Sequence, residues 1–269
     1  MSIYLAPSIV LSPADGASLL WPAFLWNNVL TFDGIEADQE DVDYPATNLA
    51  NPQTSSLWKA GSTASQSLTF VLTSGDQIDS VGIARHNFGS AQIAVAIEGI
   101  TAEPGADWEV LAELVPGDDS PILAIFEAGY YTSIRVKLEP GEVEPQAAVV
   151  YIGRLLRMPH GVPPGHAPLF DARDVEMLAG VAENGDFLGD IITSQRLGTS
   201  VDFRLLDGDW YREHMRPFVE AREPFFFAWA PALYPHECGF AKFDGNPKPT
   251  ISQVTGQIDI GLPLIGLAL

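Results

Sequence analysis

Tyr44-Pro45-Ala46-Thr47-Asn48-Leu49, then Trp58-Lys59-Ala60-Gly61, then Ile83-Ala84-Arg85-His86-Asn87-Phe88-Gly89 is the stretch that decides the fold of this chain. Between its second and third parts Leu68, Phe70 and Leu72 alternate with polar residues, which predicts a half-buried strand. Ile78-Asp79-Ser80-Val81-Gly82-Ile83 predicts the next strand.

Working outward, the same period of two recurs. Ile93, Val95 and Ile97 share a face, as do Trp108, Val110 and Leu114, then Ile122, Ala124 and Phe126. Ile134, Val136 and Leu138 follow, and Ala148, Val150 and Ile152 close the set. Pro104-Gly105, Pro116-Gly117 and Pro140-Gly141 supply turns. Strands at this spacing without intervening helices predict an antiparallel sandwich.

The Pro-Ala-x-Asn-Leu opening, the tryptophan ten residues on and this strand order resemble the discoidin or galactose-binding-like β-sandwich over residues 41–156. The resemblance implies a jelly-roll-type sandwich over 41–157, with a mouth anchored by the Asn-Leu pair and the Trp. It implies a sugar site on the mouth loops, which here carry Asn48, Trp58, Arg85, His86 and Asn87. The residues themselves leave a second reading open, in which Asn48 bonds a turn and Trp58 packs beneath it.

Residues 1–40 read as an arm or strand pair on the first domain, too rich in proline for a helix. Its knot of Leu19, Leu20, Trp21, Phe24, Leu25 and Trp26 either caps the sandwich or docks on a neighbour. Residues 158–168 carry four prolines and read as an extended strap between domains. The second domain then spans 169–269. Asn184-Gly185 between two apolar segments predicts a hairpin. Asp209 is the expected cap of a short helix from Trp210 to about Arg222, with a kink or a restart at Pro217. Phe225-Phe226-Phe227-Ala228-Trp229 predicts a strand buried on both faces, and Val254, Gly256, Ile258 and Ile260 predict a last strand. The expected fold class is therefore mainly β: a galactose-binding-like sandwich followed by a C-terminal β-sandwich with one short helix.

This second half has a resemblance of its own. Arg196 on a strand, Asp209-Trp210, Pro224-Phe225-Phe226, Trp229, Tyr234-Pro235 and Glu237 look like tail-tip proteins of long-tailed bacteriophages and gene transfer agents. It implies a non-enzymatic virion component at the tail tip, a distal tail ring assembled in the host bacterial cytoplasm. Its implied partners are further copies in a ring and tail-tube and hub or tip proteins; the alternative role of the first sandwich is recognition of host surface glycans.

Composition bounds these readings. Acidic residues number 35 against 14 basic ones, a formal net charge of −21. Such a surface repels nucleic acid and anionic membranes, so neither is an expected partner. The single Cys238 excludes an intrachain disulfide. His86, His160, His166, His214 and His236 lack metal-ligand spacing. No nucleophile elbow and no glycine-rich phosphate loop appear. No catalytic residue, metal or cofactor is expected, nor a targeting segment or membrane span. The uncharged run of residues 261–269 is expected to leave its sheet at Pro263 and to place Leu262, Leu264, Ile265, Leu267 and Leu269 against a neighbouring subunit.

Overall fold

The computed structural model describes residues 3–7, 9, 19–73, 75, 77–168, 173–252 and 256–267. The protein is mainly β, with one helical run at residues 208–221. Three sheets stack, and the middle one is buried on both faces.

The outer sheet has the order β3 (Ile35–Ala37), β5 (Gln66–Val71), β10 (Ser133–Leu138), β7 (Val95–Ile100), β8 (Glu109–Leu114). Its neighbours all pair antiparallel. The middle sheet is β1 (Ile3–Leu5), β9 (Ile122–Gly129), β6 (Ile78–Ala84), β12 (Val149–Gly153), with β1 parallel to β9. A short pair, β4 (Trp58–Lys59) with β11 (Gln146–Ala147), sits at the mouth. Phe70, Val81, Ile83, Ile97, Val136 and Val150 fill the space between the two sheets, as their alternation predicts.

The third sheet runs β13 (Leu156–Arg157), β2 (Ala23–Leu25), β16 (Phe225–Ala228), β17 (Cys238–Phe243), β19 (Ile258–Gly266), β15 (Phe187–Leu206), β14 (Arg173–Val181), with β18 (Thr250–Ile251) paired to β19. One of its faces packs on the middle sheet: Leu25, Phe226, Ala228, Cys238 and Phe240 meet Leu123, Ile125, Val149 and Tyr151. The opposite face carries Phe24, Phe203, Phe225, Phe227 and Leu262 beneath Met215 and Phe218 of the helix. The continuous run of phenylalanines in β16 follows from burial on both faces. In β6 every residue is buried for the same reason. Gly82 sets the closeness of approach, since a Cβ there would stand 2.6 Å from the Phe226 ring.

The two halves thus share a core. The arm is divided between them: Ile3–Leu5 pairs in the middle sheet, while Ala23–Leu25 pairs with β16 and β13 in the third. Asp79 of β6 accepts from the Leu155 N–H at 2.8 Å and from Arg157 at 2.9 Å, tying the sheets by a buried ion pair. Burial nonetheless raises the Asp79 carboxyl above its ordinary value, against the pull of Arg157. Residues 158–168 lie along the third sheet: the Met158 N–H donates to Pro22, Val162 packs into its core, and the Ala167 carbonyl accepts from the Thr199 hydroxyl at 2.7 Å.

Two local expectations need correction. The helix is capped by Asp207, not Asp209; the Asp207 carboxylate accepts from the N–H groups of Asp209 and Trp210. A π-helical turn at Tyr211–Met215 precedes Pro217, and the helix resumes at Arg216–Ala221 without a bend to a new element. The C-terminal run does not leave its sheet either. β19 continues through Pro263, and Leu262 and Leu264 lie inside their own core, fully shielded from solvent. In an antiparallel ladder the N–H and C=O of one residue point to the same side. The Pro263 carbonyl accepts from the Asp244 N–H, just past the end of β17, so the N–H that proline lacks would have faced that same end and not β15. Ile265 and Leu267 remain half-buried, and Leu269 lies outside the described residues.

Candidate functional site

The mouth of the first sandwich gathers all five residues that the sequence singles out for a sugar, and it uses four of them internally. Asn48 lies in a 3-10 turn (Ala46–Ala50) and donates to the Leu57 carbonyl at 2.7 Å. Trp58 is fully buried, and its indole N–H donates to the Gln39 carbonyl. Asn87 donates to the Glu144 carbonyl at 2.9 Å and accepts from the Gln146 N–H at 3.0 Å. Trp58 has no face left for a ligand, while Asn48 and Asn87 are half-buried and Asn87 borders the mouth cleft.

His86 is the most constrained. Its Nδ1 accepts from the Phe88 N–H at 3.1 Å, so the proton sits on Nε2, which donates to the Ser120 carbonyl at 2.8 Å. Burial pushes its pKa down to about 4. The folded pKa lies below the ordinary 6.5, so His86 contributes stability that is present above pH 6.5 and lost as pH falls toward 4. The loss amounts to roughly 3 kcal/mol. Thermal unfolding between pH 7 and pH 4 should show it. His86→Gln should flatten that dependence, and equal slopes for variant and wild type would contradict the assignment.

Arg85 remains. It is exposed, holds a left-handed backbone (φ 57°), and makes no hydrogen bond or ion pair among the described residues. It lines a cleft of about 470 Å³ with Ser90, Asp119 and Gln146, closed by Leu57 and Leu267. Ser90, Asp119 and Gln146 carry no sequence signal; Ser90 follows Arg85 in the same loop, while Asp119 and Gln146 come from distant segments of the chain.

The second candidate surface is an arm. From Asp174↔Arg196 to Val181↔Phe187, β14 and the first half of β15 pair, among the described residues, only with each other. Asn184-Gly185 turns the chain, with Gly185 at φ 90° and the Ala182 N–H bonded to the Asp186 carbonyl. Nine residues at about 3.3 Å each carry the tip ~30 Å from the sheet. On one face stand Val175, Met177, Ala179 and Val181 opposite Gln195, Ile192, Asp190 and Phe187. The other has a polar root, where Arg196 pairs with Asp174 at 2.9 Å and Ser194 bonds Glu176 at 3.0 Å, then Leu178 opposite Ile191. Phe187 is 92% exposed, and Met177, Leu178, Val181, Leu188, Ile191 and Ile192 are each more than half exposed. The Asn-Gly turn predicts the hairpin; nothing in the sequence says that the body leaves it uncovered.

Among the described residues no group of His, Cys, Asp and Glu could hold a metal ion, and no helix is long and apolar enough to cross a membrane. The Cys238 thiol is buried, which raises its pKa and disfavours the reactive thiolate.

No protein-family model and no curated protein sequence matches the chain. Solved structures do. Chitosan-binding module 1 from a chitosanase/glucanase of Paenibacillus sp. IK-5 is 13% identical, covering 48% of this chain and 99% of that one, at a TM-score of 0.43. CpGH89CBM32-5 from Clostridium perfringens, solved with GalNAc-β-1,3-galactose, is 14% identical over 45% of this chain and 94% of that one, at 0.39. A pectin-binding carbohydrate-binding module is 15% identical over 48% and 93%, at 0.38. The likeness extends over about half of this chain, whose first β-sandwich is set against a further sheet and a helix.

Proposed function

We propose that this chain is a structural subunit that assembles with copies of itself into a ring, as part of the tail tip of a long-tailed bacteriophage. The observation that carries the assembly is the arm. Seven large apolar side chains on a two-stranded ribbon, open at both edges, form a surface that monomeric proteins avoid. An isolated two-stranded ribbon is marginal in water, so this one gains its order from a partner. The tail-tip setting rests on the motif resemblance of the second half, from Arg196 to Glu237. In this role the third sheet forms the ring, the first sandwich decorates it, and the neighbours are tail-tube and hub proteins.

Excising residues 176–194 and closing the gap with an Asn-Gly turn tests the reading. The side chains removed are exposed or half-buried, so the body should keep its cooperative unfolding. Light scattering and micrographs of the full chain should show closed rings, and the armless chain should be a monomer. A full chain that stays monomeric at high concentration would end the proposal.

A second reading has its own observation, the unpartnered Arg85 in the mouth cleft beside Ser90, Asp119 and Gln146. An open guanidinium among polar groups suits a sugar hydroxyl or uronate, and the first sandwich would then recognise host surface glycans. A glycan array separates this from decoration without binding, since Arg85→Ala should abolish any hit while leaving assembly intact.

A further inference from the structure

We propose that the arm tip of one copy seats in the cleft between the first sandwich and the last strand of the next, joining subunits head to tail. The inference rests on the ring reading above. A ring of more than two copies needs two different, complementary surfaces on each chain. The arm is one of them. The cleft has the form and chemistry of the other.

Its volume is about 470 Å³, and Pro52, Pro224, Phe240, Ile265 and Leu267 give it apolar walls. Lys242 stands at its side, exposed and without a hydrogen bond or ion pair among the described residues. Past Leu267 the trough meets the cleft of Arg85, a second cation in the same condition. Two open cations beside an apolar trough supply local positive charge on a chain of net charge −21, where ion pairs hold Lys59, Arg135, Lys137, Arg157, Arg196, Arg212 and Arg216.

The arm presents the complement. Phe187 and Leu188 stand at its tip, among the most exposed apolar side chains of the protein. Between Arg173 and Arg196 the sequence has Asp174, Glu176, Glu183, Asp186 and Asp190 and no lysine or arginine. Apolar tip to apolar wall supplies the binding, and carboxylate to cation supplies register and rate.

The occupant has to be another copy. Leu197 at the arm's root pairs with Gly266, which is itself part of the cleft wall. A paired ribbon ~30 Å long cannot fold back onto its own root. The place is also suited to an incoming strand. Among the described residues, no strand pairs with β15 on the side of β19 between Phe187 and Arg196, so that edge can take a visiting strand.

Sedimentation velocity on full-length variants tests this. Phe187→Glu spoils the tip. Ser55→Trp and, separately, Lys242→Glu spoil the seat at exposed positions where folding is not at stake. Each should weaken self-association by about 100-fold or more, the loss of a central contact. The decisive measurement is a mixture of Phe187→Glu with Ser55→Trp. The sound tip of one then meets the sound seat of the other, and a 1:1 dimer forms that grows no further. Seat variants that assemble like wild type, while Phe187→Glu does not, would overturn the cleft as the seat and leave the arm-driven ring standing. Wild-type chains that remain monomeric would overturn both.

Discussion

Deleting residues 262–269 should yield a chain that does not fold. Leu262 and Leu264 are fully buried in the core between the third sheet and the helix. Removing a buried leucine costs about 2–5 kcal/mol even when the backbone stays. Here the strand goes too. The ladder from Leu262 to Gly266 against β15, and from Leu264 to Gly266 against β17, disappears with it. The sum is comparable with the ~5–15 kcal/mol that holds an ordinary domain together. Circular dichroism and thermal melting of the truncated chain decide the matter. A folded, cooperative monomer would show that these residues serve a neighbour instead. The expectation drawn from their composition, that Leu262 and Leu264 face another subunit, fails because a proline can sit inside a ladder when its missing N–H faces the end of the next strand.

Trp58→Ala should lower stability by roughly 3–5 kcal/mol, the cost of emptying a buried aromatic site. Trp58 closes the mouth end of the first core beside Leu49 and Ala147, with no part of its surface exposed. Its loss also strands the Gln39 carbonyl that accepts the indole N–H. For a chain of this size the melting temperature should fall by about 10 °C. Because the middle sheet belongs to both cores, the variant should still unfold in a single transition instead of shedding its first half. An unchanged melting temperature would mean that Trp58 is a surface platform, as a sugar site would require. Arg85→Ala is the matched control at the same mouth, and little change is expected there because its side chain is exposed.

The same sharing of a core bears on how the molecule can be divided. A fragment ending near residue 158 would keep both sheets of the first sandwich but expose Leu123, Ile125 and Tyr151, which now meet Phe226 and Phe240. The proline-rich composition of residues 158–168 suggests a linker between independent bodies. Composition reports that a segment is extended and stiff, and it does not report what the segment lies against.

What the sequence by itself determined is whatever depends on neighbours along the chain. Alternation marked the inward faces at Leu68 and Phe70, Ile97, Val136 and Val150, because side chains in a strand point alternately to opposite sides. The unbroken Phe225-Phe226-Phe227 run marked a strand covered twice. Asn184-Gly185 marked a hairpin, because Gly185 readily takes the left-handed backbone (φ 90°) that closes the turn between Ala182 and Asp186.

What only the tertiary structure decided depends on which surfaces meet. Asn48, His86 and Asn87 have the chemistry of ligand contacts, yet their N–H donors are taken by the carbonyls of Leu57, Ser120 and Glu144, up to 57 residues away. Arg85, next to them in sequence, is left open. The apolar residues of 177–192 and those of 258–264 read alike as strand faces. One set is buried under a helix and the other projects from the sheet, and that difference lies in how the layers stack. Local periodicity records the direction of a side chain, while the partner it meets is fixed by contacts that close only when distant segments pack.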